Sequence, residues 1–235
     1  MKYIFLIIAL FLYSCSAEKK ADAETIEKTE TPENSLPIET TSFTGQPLYQ
    51  NVIPEKLKHK NDSIIAALRA KESLTEQDFI ELSRKHASNY HYNESIKVLT
   101  EGLTQFPASF KLLRHRGHRY LNLRKTEKAI ADLTKADKLI GIEHLDVEEL
   151  GYDGKPWGTY KYWVYYHIGL YHYVKGDYAK AAEAYKVLVA NATTDKNQVG
   201  SRDWLYNTYR RMGEPVLAQE VLDQIPDDFE ISDTN

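Results

Sequence analysis

The chain has 235 residues, 42% of them hydrophobic and 27% charged, with 30 basic against 34 acidic side chains and a net charge of −4. That much apolar material supports a continuous core, and a weakly acidic balance argues against nucleic acid, which would want a basic domain. A single cysteine, Cys15, excludes a disulfide framework.

The first fifteen residues read as an address. Met1 and Lys2 supply a positive start, and Tyr3 to Leu12 form an apolar run. The run is far shorter than the ~20 residues that span a bilayer, so it reads as a signal-peptide core. It closes on Leu12-Tyr13-Ser14-Cys15, which resembles the bacterial lipobox. That resemblance implies lipidation of Cys15 and localisation in the bacterial cell envelope. Ser16 stands where aspartate would signal inner-membrane retention, so the outer membrane is expected, on its periplasmic or surface face. Several buried acyl chains anchor a protein firmly, at ~0.8 kcal/mol per methylene.

Residues 16–47 are rich in Ala, Glu, Lys, Thr, Pro and Ser and carry few large apolar side chains. Such a segment cannot bury enough surface to offset its ordering entropy, so a disordered tether is expected. Residues 48–73 follow as a capping region. Within it Ile64, Ile65 and Leu68 form an apolar stripe at helical spacing, suited to cover the end of a helical stack.

From residue 74 to 235 a block recurs. Setting Ser95 on Ala129, Leu99 on Leu133 and Gly102 on Ala136 gives the same offset of 34 residues each time. The pattern returns as Tyr165…Gly169…Gly176-Asp177-Tyr178…Ala181…Tyr185, and again as Leu205…Tyr209…Gly213-Glu214…Ala218…Leu222. Gly117 and Gly169 fall within helices, where glycine costs ~1 kcal/mol against alanine, so a close helix crossing is expected at each. Gly176-Asp177 and Gly213-Glu214-Pro215 read as turns between paired helices. The period and the small residues resemble the tetratricopeptide repeat (TPR), a helix–turn–helix unit that stacks. The resemblance implies an all-α, right-handed helical solenoid of about four repeats with an N-terminal capping helix.

Gly117 and Gly169 are 52 residues apart, so 18 residues exceed the period there. The extra chain, 141–158, is acidic at first and then reads Gly151-Tyr152-Asp153-Gly154-Lys155-Pro156-Trp157-Gly158, which predicts a long loop. By the register of the repeat, Trp163, Tyr166 and Tyr173 face the concave groove of the stack. The matching positions are Lys111, Arg114 and His118 in the second copy, and Asp203, Asn207 and Arg210 in the fourth. Aromatics flanked by Arg and Asn suit an extended peptide or a sugar. Two readings stand: either this groove takes a partner, or the insertion folds back and fills it.

No cofactor or metal is expected. His115 and His118 could approach one ion, but Arg114, Arg116 and Arg119 surround them, and no His-Glu-x-x-His or Cys/His spacing occurs. Nucleophile-elbow, phosphate-loop and nucleotide signatures are missing too, which points away from an enzyme. Gln77, Ile80, Arg84 and Ala87 in the first copy depart from the Lys/Asn pattern of repeats that clamp chaperone C-termini. The expected function is a lipid-anchored scaffold or adaptor binding a protein or peptide of an envelope complex. The alternative is a glycan- or small-ligand-binding lipoprotein.

Overall fold

Paired helices dominate the computed structural model, which describes residues 36–226. The signal segment, Cys15, the tether up to residue 35 and the tail from residue 227 lie outside the described residues. Helix α1 (Glu55–Arg69) is followed by four pairs: α2 (Glu76–Ser88) with α3 (Tyr92–Gln105), α4 (Phe110–Asn122) with α5 (Thr126–Ile140), α6 (Tyr160–Val174) with α7 (Tyr178–Ala190), and α8 (Asp195–Met212) with α9 (Pro215–Leu222).

Local chemistry explains the regularity. The first helix of every pair begins at a hydroxyl cap: Thr75, Ser109, Thr159 and Thr194 accept from the backbone N–H groups of Asp78, Leu112, Tyr162 and Asn197. At Thr75 the cap is reciprocal, since Asp78 also accepts from the Thr75 backbone. Each pair then turns through one residue with left-handed backbone, at Tyr90, Arg124, Gly176 and Gly213. Two of these are not glycine, so the turn is imposed by the stacking of the flanking helices as well as by local preference.

Packing proceeds from neighbour to neighbour. Phe79, Ile80, Leu82, Val98, Leu99 and Leu112 form one cluster, onto which Ile65 and Leu68 of α1 pack from the N-terminal end. Phe110, Leu113, Ala136, Ile140, Tyr160 and Val164 form the next. Tyr185, Leu188, Leu205, Tyr209 and Val221 belong to the third. A linear series of cores is what stacked repeats produce. The helix crossings need their small residues: a Cβ on Gly117 would sit 2.8 Å from Leu133 Cγ, and one on Gly169 would sit 2.2 Å from Tyr185 Cε1.

Two hairpins interrupt the helical pattern. Strands β1 (Ile38–Thr41) and β2 (Pro47–Tyr49) pair antiparallel, β1 within the stretch expected as tether and β2 across its boundary with the capping region. Long-range hydrogen bonds hold this hairpin: Thr40 Oγ1 donates to the Leu123 carbonyl at 2.7 Å, and the Asn93 backbone donates to Glu39 Oε1 at 2.6 Å. Ordering therefore begins well before residue 47, through partners some 54 to 83 positions away. The expected loop at 141–158 also carries pairing, as β3 (Glu148–Leu150) runs antiparallel to β4 (Pro156–Thr159) and enters α6 directly.

Candidate functional site

A cavity of about 400 Å³ lies between the first helices of the first three pairs and the β3–β4 hairpin. Helix α4 supplies Arg114, His115, His118, Arg119 and Asn122, whose three- and four-residue spacings put them on one side of the helix. Arg84 comes from α2, Tyr92 from α3, and Trp163, Tyr166 and His167 from α6. The hairpin closes the space with Glu149, Tyr152 and Trp157.

Glu149 is the pin of this closure. It sits at 0% exposure, with Oε1 accepting from Arg84 Nη2 at 3.1 Å and Oε2 lying 2.9 Å from Arg114 Nε. The Arg114 contact is a close ion pair without an aligned hydrogen bond, for neither atom has a partner of acceptable geometry. Arg84 Nη2 also donates to the Leu150 carbonyl at 2.7 Å. Its guanidinium carbon lies 5.5 Å from the Tyr152 ring centre and 5.9 Å from that of Trp157. The hairpin is thus seated by charge and by cation–π contact together.

The histidines are neutral. Burial, reinforced by the neighbouring arginines, holds His115, His118 and His167 well below the usual imidazole range. Their tautomers follow from their partners. Arg114 Nη1 and Arg119 Nη2 can only donate, so Nδ1 of His115 (3.2 Å) and of His118 (2.9 Å) accepts. A carbonyl can only accept, so His167 Nδ1 donates to the Trp163 carbonyl at 2.6 Å. The His118 and His167 rings stand 4.3 Å apart.

With the imidazoles neutral, three guanidiniums face one carboxylate, an excess of two positive charges. Arg119 is the odd one. Only 9% exposed, it meets no carboxylate within 4 Å among the described residues; its contacts are His118 and the face of Tyr92 at 5.9 Å. Burial pulls its pKa down to about 10, so it remains charged at neutral pH. Six of the nine buried side-chain polar atoms without a hydrogen-bond partner among the described residues belong to residues lining this cavity, including the indole N–H groups of Trp157 and Trp163. Native interiors satisfy nearly all such atoms, so this concentration marks the site.

Of the residues expected at the groove, Arg114, His118, Trp163 and Tyr166 line the cavity. Lys111 instead pairs with Glu76 at 3.0 Å. Tyr173 packs edge-on against Tyr178 and Trp204. Asp203, Asn207 and Arg210 lie along α8: Asn207 Nδ2 donates to the Asp203 side chain at 3.0 Å, and Arg210 lies over Tyr206 at 5.9 Å. None of these five reaches the cavity. Sequence register missed Glu149, because a buried carboxylate in an insertion has no repeat position. Arg119 falls off the register as well; the run of Arg and His along α4 was the visible signal.

No protein-family model matches the chain, and neither does any curated protein. Solved structures do. MamA aligns with a TM-score of 0.53 and 17% identity, over 72% of this chain and 82% of its own. BtubC from P. vanneervenii aligns at 0.58 and 13%, over 73% and 72%. A kinesin light chain from P. anserina, with nearly identical TPR-like repeats, aligns at 0.50 and 14%, over 72% and 83%. At these identities the likeness is one of fold. Together with the helix pairing, it makes the described region an all-α TPR-type solenoid.

Proposed function

We propose that this chain is a lipid-anchored TPR adaptor of a bacterial envelope, which binds a protein or peptide of an envelope assembly. The observation that carries the reading is the solenoid itself. Its first helices offer a continuous face, and beyond the hairpin that face keeps a solvent-exposed polar strip with Asp203 and Arg210 on α8. Stacked repeats of this kind build extended binding surfaces from rigid helices. The anchor rests on the apolar run ending at Cys15. Replacing Cys15 by alanine is expected to release the protein from membranes. Continued membrane fractionation of that variant after a high-salt wash would remove the anchor from the proposal. Cross-linking in intact envelopes, followed by the same capture with Asp203 and Arg210 reversed in charge, tests the docking strip.

A second reading, capture of a small ligand, has its own supporting observation. The cavity under the hairpin is a half-open cleft, rich in aromatic rings and supplied with unmet polar atoms.

A further inference from the structure

We propose that the cavity beneath the β3–β4 hairpin binds a compact organic oxyanion, a carboxylate or phosphate ester carried on a planar body. The proposal rests on the ligand-capture reading and adds the chemistry of the ligand.

Donor inventory makes the first argument. Guanidinium and indole N–H groups can donate and cannot accept. Arg114, Arg119, Trp157 and Trp163 all line the cavity, and both indole N–H groups lack hydrogen-bond partners among the described residues. A set composed so largely of donors is satisfied by an acceptor-rich group. Charge makes the second. A buried cation is costly unless paired, and Arg119 meets no carboxylate within 4 Å among the described residues. Glu149 is already engaged by Arg84 and Arg114. An incoming oxyanion would therefore complete the pairing that Glu149 begins. Shape makes the third. Trp157 and Trp163 lie 5.1 Å apart, and Trp163 meets Tyr166 edge-on at 5.6 Å, so the lining includes a cluster of rings, with the guanidiniums of Arg84 and Arg114 at 5.9 and 5.6 Å from the Trp157 and Trp163 rings. Such a lining favours a flat body. The volume of about 400 Å³ lies in the range of small-molecule sites.

The oxyanion could belong to a free small molecule or to the C-terminal residue of a peptide. The same test separates them. The full folded chain is titrated by calorimetry and thermal shift with indole-3-acetate, phenyl phosphate, and a short peptide ending in tryptophan. Indole-3-acetamide and the amidated peptide serve as neutral counterparts. The expected result is binding of at least one anion, with its neutral counterpart weaker by roughly tenfold or more, as loss of a charge-assisted hydrogen bond implies. Shifts from the free acids alone identify a small molecule, and a shift from the peptide acid identifies a chain terminus. Trp157→Phe keeps an aromatic face and removes the N–H, and is expected to weaken the anion by roughly tenfold while the chain stays folded. Arg119→Met is expected to abolish binding while the chain stays folded, with the contacts to His118 and Tyr92 lost as well. Equal shifts from acids and amides would overturn the oxyanion assignment and leave ligand capture standing. Silence from every probe would overturn both and leave Arg119 a structural residue held by His118 and Tyr92.

Discussion

Gly169 shows how much a single hydrogen can decide. A methyl group there would meet the Tyr185 ring at 2.2 to 2.7 Å, and that ring is fully buried and stacked on Trp204 at 5.5 Å. Alanine would gain ~1 kcal/mol of helix propensity, but a rigid ring wedged between two helices cannot swing aside as a flexible chain end would. Gly169→Ala is therefore expected to destabilise by about 1–3 kcal/mol, the range of core overpacking. Urea denaturation of the variant against the parent checks this; an unchanged or raised midpoint would mean that the helices separate easily at this crossing. The position was legible in the sequence, because a mid-helix glycine recurring at a repeat position needs a packing reason.

At the scale of the element, the β3–β4 hairpin is the feature that distinguishes this solenoid. Its two strands are short, and a hairpin of that size is marginal alone. What holds it is Glu149, buried between Arg84 and Arg114 on two different helices. Removing one member of a buried ion pair costs about 3–5 kcal/mol, because the surviving charges stay desolvated. Glu149→Gln is expected to lower stability by that order and to loosen the hairpin. Limited proteolysis reads the second effect directly, as faster cleavage within 151–155; an unaltered cleavage rate would show that Tyr152 and Trp157 suffice to seat it. Nothing in the acidic run around Glu149 announces which carboxylate goes inside. The choice is made by arginines 65 and 35 positions away, brought together only when α2 and α4 stack.

For the molecule as a whole, the buried histidines impose a pH limit. His115, His118 and His167 are held well below the usual range when folded, chiefly by burial, and return to about 6.5 when unfolded. Below that value the unfolded state binds more protons, so stability is full above about pH 6.5 and falls on acidification. Each group contributes a slope of roughly 1.4 kcal/mol per pH unit while its folded form stays neutral. The lowered carboxyls of Asp62 and Asp78 act only in a more acidic window. Denaturation midpoints are thus expected to drop between pH 7 and pH 5, with the drop reduced in His118→Gln. A flat profile would place these imidazoles in contact with solvent.

Length, period and residue type by themselves determined that the described region is a stack of paired helices, with the turns at Gly176 and Gly213, the crossings at Gly117 and Gly169 and the terminal cap, because each repeat packs only against its neighbours and so leaves a local trace. The lipobox-like tetrad at Cys15 is equally local, four consecutive residues after an apolar run, and is read from the chain alone. Tertiary structure alone decided that an acidic insertion pairs into a hairpin, that it lines a cavity together with helices of the first three pairs, and that Arg119 lines the same cavity with no carboxylate close by among the described residues. Those facts depend on charges meeting across 35 to 65 residues of chain, and on which of them the stacking shuts away from water. Repeat spacing carries no record of either.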